Sequence, residues 1–212
     1  MFWSGWKLEN SGPHVVMAHS MGGHLAMRAL VEKAIDPDAV VMSAPMLSIQ
    51  TGGLPLSWNH AFAKLMVTLG KGEVAAWKVS EKPMSPLSMR GKMLTHDDER
   101  YEDEIAWWKL RPNVKLGPPS WHWIERAIAS IRMLEAPGLL EAVQTPILLL
   151  ATTGDQLVST PRVIADGKRL PHAETLIFGK EAAHELLREA DPVRDQCIAR
   201  INSFLDAHAP RT

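Results

Sequence analysis

The sequence predicts an α/β fold, a parallel sheet flanked by helices with a helical cap inserted into it. Three observations carry that expectation. Continuous apolar runs occur at Val15-Val16-Met17, Val40-Val41-Met42 and Ile147-Leu148-Leu149-Leu150. Strands covered by helices on both faces read this way, whereas half-exposed strands alternate. Helical patterns follow these runs, and a repeated strand–helix–strand succession argues a parallel sheet. Finally, residues 48–143 show no strand pattern at all, and a stretch that long is not a simple connection.

Taken in order, the expected strands are 13–19, 38–44, 145–151 and 173–178, and the helices that follow them are 21–33, 161–169 and 191–208. Thr160 reads as an N-cap with Pro161 at the first helical position. Between the second and third strands, Ser57 reads as the cap of a helix striped with Trp58, Phe62, Leu65, Met66 and Leu69 and closed by Gly70. Thr95 and Asp98 make a capping-box pattern before a helix with Tyr101, Ile105 and Trp108 on one face. Ser120 caps a third helix carrying Ile124, Ile128 and Ile131. The expected organisation is residues 1–47 as the first part of the core, 48–143 as the cap and 144–212 as the second part of the core.

With 212 residues and 46% hydrophobic content, the chain is ample for one buried core. A formal net charge of -1 offers no basic field for nucleic acid. The apolar runs are too short to cross a bilayer, and the first residues lack the pattern of a secretion signal. Cys197 is the only cysteine, so no intrachain disulfide forms and a reducing, cytoplasmic location is expected. Its place in a late helical pattern makes Cys197 a packing residue. No His or Cys spacing resembles a metal site.

The first strand ends in Ala18-His19-Ser20-Met21-Gly22-Gly23 and runs straight into a helix. This is the pattern of a nucleophile elbow, with alanine at the first glycine position. A serine on so sharp a turn tolerates only small neighbours, and the helix N-terminus offers free N–H groups to a developing oxyanion, that of Met21 first among them. An activated serine needs a base, and the base needs an orienting acid. In doubly wound sheets such groups gather at the carboxyl ends of strands. Asp155 follows the third strand in Gly154-Asp155-Gln156-Leu157-Val158, and His184 follows the fourth. Together they give the chain order Ser, Asp, His. His172 precedes its strand and so belongs to the opposite end of the sheet. His19 should point away from the serine beside it, as successive strand side chains do.

These residues resemble the monoacylglycerol lipase and lysophospholipase group of α/β-hydrolases. The resemblance rests on Val15 through Gly23, on Gly154-Asp155 with Val158, on His184, and on Leu94-Thr95-His96-Asp97-Asp98-Glu99-Arg100-Tyr101. It implies Ser20 as nucleophile, His184 as general base, Asp155 as its orienting acid and Met21 N–H as one oxyanion donor. It also implies hydrolysis of esters with one fatty acyl chain, without a cofactor. Members of that group carry further strands and a His-Gly loop before the elbow, the loop supplying a second oxyanion donor. Here a short lead precedes Ser20. Loss of one such donor costs about a hundred- to thousandfold in rate, so slow turnover is expected. The first strand, read as buried on both faces, would need cover along one edge. Either a homodimer pairs two such edges or residues 1–9 fold back with Trp3 and Trp6 over the gap.

Six of the eight tryptophans (Trp58, Trp77, Trp107, Trp108, Trp121, Trp123) and five methionines (Met66, Met84, Met89, Met93, Met133) fall in residues 48–143. An apolar, adaptable lid suits an acyl chain, with Met66, Trp108 and Trp123 as expected substrate contacts and a peripheral membrane surface as an expected partner. Two readings stand. One is a serine esterase or lipase; the other is a hydrolase-fold protein, weak in catalysis, that binds an apolar ligand or partner. Thioesterase or perhydrolase chemistry on the same fold is a third, because fold does not fix substrate.

Overall fold

The computed structural model describes residues 2–76, 89–114 and 116–210, except the side chain of Met89. Four strands form one parallel sheet in chain order: β1 (Val15–His19), β2 (Ala39–Ser43), β3 (Ile147–Thr152) and β4 (Ala173–Phe178). All four lie within about two residues of the expected strands, β1, β2 and β3 on the three apolar runs. β2 and β3 are buried along their whole length.

Alternate side chains feed two cores, as the two-residue period of a strand requires. On one face, Val40, Met42, Ile147 and Leu149 pack against Met27 and Leu30 of α2 (Met21–Val31) and Val163 of α7 (Thr160–Gly167). On the other face, Ala39, Val41, Leu148 and Leu150 meet Val193, Cys197, Ile201 and Phe204 of α8 (Asp191–His208). Cys197 is thus a packing residue, and burial pushes its thiol up to about 11. α1 (Phe2–Glu9) has no counterpart in the predicted helices.

β1 is an edge strand, paired among the described residues only with β2, as expected, but its burial departs from expectation: Val15 and Met17 are exposed. α1 does not cover them. Its Trp3 and Trp6 pack on His14, and Trp3 and Lys7 bond Asp36, at the entry to β1 and β2. Met21 and Leu25 of α2 are exposed as well.

Between β2 and β3 lie α3 (Leu56–Met66), α4 (Met89–Leu94), α5 (Asp98–Leu110) and α6 (Trp121–Leu134). α6 follows its pattern: Ser120 Oγ accepts the Trp123 N–H at 3.2 Å, and Ile124, Ile128 and Ile131 are buried. Elsewhere the expected caps shift. α3 is preceded by Pro55, which puts Ser57 inside the first turn, and Gly70 (φ 74°) closes the kink after the helix. α5 is capped by Asp97, whose carboxylate accepts the Arg100 N–H at 3.0 Å. Thr95 instead receives the Asp97 N–H and donates to the Arg188 carbonyl. α7 takes Ser159 as its preceding residue rather than Thr160, whose hydroxyl donates to the Thr152 carbonyl.

The apolar stripe of α3 faces out. Trp58, Phe62, Leu65 and Leu69 are each more than half exposed, while His60 and Ala63 are buried toward α6. A hydrogen bond of 3.4 Å between His60 and Glu125 joins the two helices there, so a buried polar pair occupies the face opposite the apolar stripe, which periodicity assigns to solvent. Trp77 and Met84 lie outside the described residues. No helix among the described residues is long and apolar enough to cross a membrane.

Candidate active site

The sheet delivers three side chains from the carboxyl ends of β1, β3 and β4 to one place. Ser20 occupies the turn between β1 and α2, with φ 50° and ψ -118°. A non-glycine residue in such a conformation stores about 1–3 kcal/mol, so its surroundings must hold it there. They do so through the backbone. Ser20 N–H donates to the Ser43 carbonyl at 3.0 Å, and the Ser20 carbonyl accepts from Met46 N–H at 2.9 Å and His24 N–H at 3.2 Å. The turn also needs Gly23, because a Cβ there would stand 2.7 Å from Pro45 Cβ. Met21 N–H opens α2 and so has no carbonyl within the helix to donate to.

Asp155 and His184 are brought together by two loops that touch. A Cβ on Gly154 would lie 2.4 Å from the Ala182 carbonyl, so glycine sets how closely the loops approach. The Thr152 hydroxyl, at the end of β3, sits within hydrogen-bond distance of the Gly179 and Ala182 carbonyls and receives the Gly154 N–H. Asp155 Oδ1 accepts from Leu157 N–H (2.8 Å) and Val158 N–H (3.0 Å), which fixes the carboxylate and aims Oδ2 at His184 Nδ1, 2.7 Å away. A carboxylate accepts only, so Nδ1 carries the proton and Nε2 is left as an acceptor. His184 Nε2 lies 2.9 Å from Ser20 Oγ. Asp155 and His184 are both buried. An imidazole so oriented can take the serine proton, and the buried carboxylate beside it stabilises the cation that forms.

His19 does not point away from this group. Its ring centroid is 4.8 Å from that of His184, and its Nδ1 lies 3.0 Å from the Ser43 carbonyl. Alternation fails here because Ser20 has already left strand geometry, so its side chain does not take the opposite face. Burial, and secondarily the charge of His184, lower the His19 pKa to about 4. The ring therefore stays neutral beside His184 at neutral pH. Three further histidines have partners that the sequence does not reveal: His24 bonds Ser130, His96 bonds Glu189 and His208 bonds Glu174.

A cleft of ≈ 530 Å³ opens at Ser20. Met46, Ile49, Phe62, Trp121, Trp123 and Leu157 give it apolar walls, and Gln50 and Asn59 add amide groups. Trp123 is among its lining residues. Met66 and Trp108 are not among its lining residues. Met66 follows Asn59 by two helical turns, about 10 Å farther along α3. Trp108 belongs to α5, which leans on the segment after His184 through Arg100 and Arg188. Met46, Ile49 and Leu157 come from short loops after β2 and β3, where no periodic pattern marks them out.

The chain is similar to lysophospholipase L2 of Escherichia coli strain K12, 26% identical over 96% of this chain and 62% of the relative. It is also similar to a probable lysophospholipase L2 of Haemophilus influenzae, 24% identical over 92% of this chain and 60% of the relative. The chain therefore spans about three fifths of the length of these curated relatives. Among solved structures, a monoglyceride lipase from Saccharomyces cerevisiae matches with a TM-score of 0.72 at 15% identity, covering 98% of this chain and 65% of that one. A monoacylglycerol lipase of Paleococcus ferrophilus matches at 0.66 and 20% identity, over 92% and 68%. At such identities these likenesses show the α/β-hydrolase fold alone. A family profile described as serine aminopeptidase, S33, matches residues 6–191. With the profile spanning nearly the whole fold, elbow through last loop, the chain belongs to the serine aminopeptidase S33 family of α/β-hydrolases.

Proposed function

We propose that this protein hydrolyses carboxylic esters, monoacyl lipids such as monoacylglycerols or lysophospholipids foremost, through an acyl-enzyme on Ser20. The observation that carries the proposal is the chain of contacts from Asp155 Oδ2 through His184 to Ser20 Oγ, at 2.7 and 2.9 Å, beside an apolar cleft. Ser20 Oγ attacks the ester carbonyl as His184 Nε2 takes its proton. Met21 N–H, at the positive end of α2, donates to the oxyanion. His184 then returns the proton to the departing alkoxide. Water, deprotonated by the same nitrogen, releases the acid and restores Ser20.

Support for a lipid substrate comes from the cleft walls and from the names of the relatives. Among the described residues lining the cleft there is no carboxylate to hold the ammonium end of a peptide, which favours an acyl chain over an aminopeptidase substrate. In this reading the helices between β2 and β3 act as the lid, and Trp123 and Phe62 flank the acyl chain. Hydrolysis of p-nitrophenyl acetate and octanoate tests it. Trp123→Ala should lower kcat/KM for octanoate about tenfold more than for acetate. Equal losses on both esters would reduce Trp123 to a packing role and remove it from the acyl site.

The exposed stripe on α3 adds a lipid surface as partner. Trp58 and Leu65 stand in the open on the helix whose Phe62 lines the cleft, and Leu69 in the turn that follows it. Burying each such side chain in an interface contributes about 1.5–3 kcal/mol. Sedimentation with phosphatidylcholine vesicles should therefore show the double variant Trp58→Ser, Leu65→Ser partitioning about tenfold or more weaker than the parent. Equal partitioning would assign the stripe no part in lipid contact.

A further inference from the structure

Glu189 is fully buried, and nothing in the reaction just described uses it. Its carboxylate joins two parts of the chain far apart in sequence. Oε1 accepts from Ala183 N–H at 2.6 Å, directly before His184. Oε2 accepts from His96 N–H at 3.0 Å, in the turn between α4 and α5. His96 Nδ1 adds a third contact, 3.0 Å from Oε1. Around this carboxylate the two segments bond directly as well. His184 N–H donates to the Met93 carbonyl (3.3 Å), Glu185 N–H to the Leu94 carbonyl (2.8 Å) and the Thr95 hydroxyl to the Arg188 carbonyl (2.7 Å). Arg100, in the first turn of α5, reaches the Glu189 carbonyl, and Arg188 reaches back to the Arg100 carbonyl. The segment 94–101, conspicuous in the sequence, thus sits on the loop that carries His184.

We propose that Glu189 is a positioning residue, whose buried carboxylate clamps the turn between α4 and α5 onto Ala183 and so holds His184 at the 2.9 Å distance from which it can accept the Ser20 proton. The inference rests on the reading of His184 as general base. The geometry makes a carboxylate specific for the task. Each oxygen accepts a backbone N–H, and the two N–H groups belong to different segments. Glutamine has the same shape but carries one NH₂ group, which must face a backbone donor whichever way the amide turns. The clamp also ties base geometry to the helices over the cleft, because displacing the 93–97 turn would withdraw three donors from the loop at once.

Glu189→Gln, compared with the parent for ester kinetics and for hydrogen exchange, tests this. Misplacing a catalytic base by about 1 Å costs about a hundredfold, so kcat should fall by that order while KM stays within about threefold. Backbone amides of 94–97 and 183–185 should exchange faster together. A folded Glu189→Gln protein with parental kcat and parental exchange in both segments would overturn the proposal. If the variant does not fold, His96→Ala takes its place, since that side chain is half exposed. It should lower kcat about fivefold at constant KM, and an unchanged kcat would overturn the proposal. A parent that hydrolyses no ester would refute the proposed function instead, and exchange in the two segments would then decide the clamp alone.

Discussion

Replacing Ser20 with alanine should lower ester hydrolysis by on the order of 10⁴- to 10⁶-fold in kcat and leave the protein folded. The hydroxyl bonds His184, whereas the turn itself is held by the backbone bonds of Ser20 to Ser43, Met46 and His24, which alanine keeps. His184→Ala should cost activity to a similar degree, but its melting temperature should fall as well. That ring is buried, and its removal leaves a cavity and takes the His184 donor from Asp155 Oδ2. The double variant should be no slower than the worse single variant, because nucleophile and base act as one unit. Kinetics on p-nitrophenyl esters with parallel thermal melts check all three. Losses that multiply in the double variant would mean that the two residues contribute independently, and the hydrogen bond between them would have no catalytic meaning.

Asp155→Asn should be nearly as damaging, about 10⁴-fold in kcat, with little change in KM. The reason is visible in how the carboxylate is held. Oδ1 accepts two backbone N–H groups, from Leu157 and Val158, so the asparagine carbonyl must take that position. Its NH₂ then faces His184 Nδ1, 2.7 Å away. A donor there makes Nδ1 the acceptor and moves the ring proton to Nε2, where it blocks uptake of the Ser20 proton. The fold should survive, since every backbone donor keeps its partner. The kcat/KM profile against pH and a melt on the same preparation are the measurements. An Asp155→Asn protein within about tenfold of parental kcat would show that tautomer control is not Asp155's role.

Much of this was legible in the sequence, and the exceptions have physical causes. β2 and β3 are doubly buried, and their unbroken apolar runs say so. The same pattern misleads for β1, where the unbroken run Val15-Val16-Met17 promises burial but Val15 and Met17 are exposed at the sheet edge. The convergence of Ser20, Asp155 and His184 is legible because each follows a strand in a fixed order, a constraint that survives one-dimensional reading. Strand alternation misplaces His19, because it does not extend into the turn, where Ser20 already has φ 50°. α3 shows the limit of periodicity. Its stripe is amphipathic, yet the buried side is the one with His60 and Ala63, because Glu125 on α6 supplies a polar partner that the local pattern cannot reveal. Glu189 has no motif of its own. Its importance lies in backbone donors at positions 96 and 183, and side-chain patterns do not encode those.

The proposed reaction stands or falls with Ser20 as a nucleophile activated by His184. The most direct measurement is labelling with a fluorophosphonate, read by intact mass and peptide mapping, because a phosphonylated serine reports nucleophilicity without any assumption about substrate. The parent should take up one adduct, on the peptide containing Ser20. Ser20→Ala should take up none, and His184→Ala should label more slowly by a factor of about 10³ or more. A folded parent that never labels, or one that labels at a residue other than Ser20, would contradict the account.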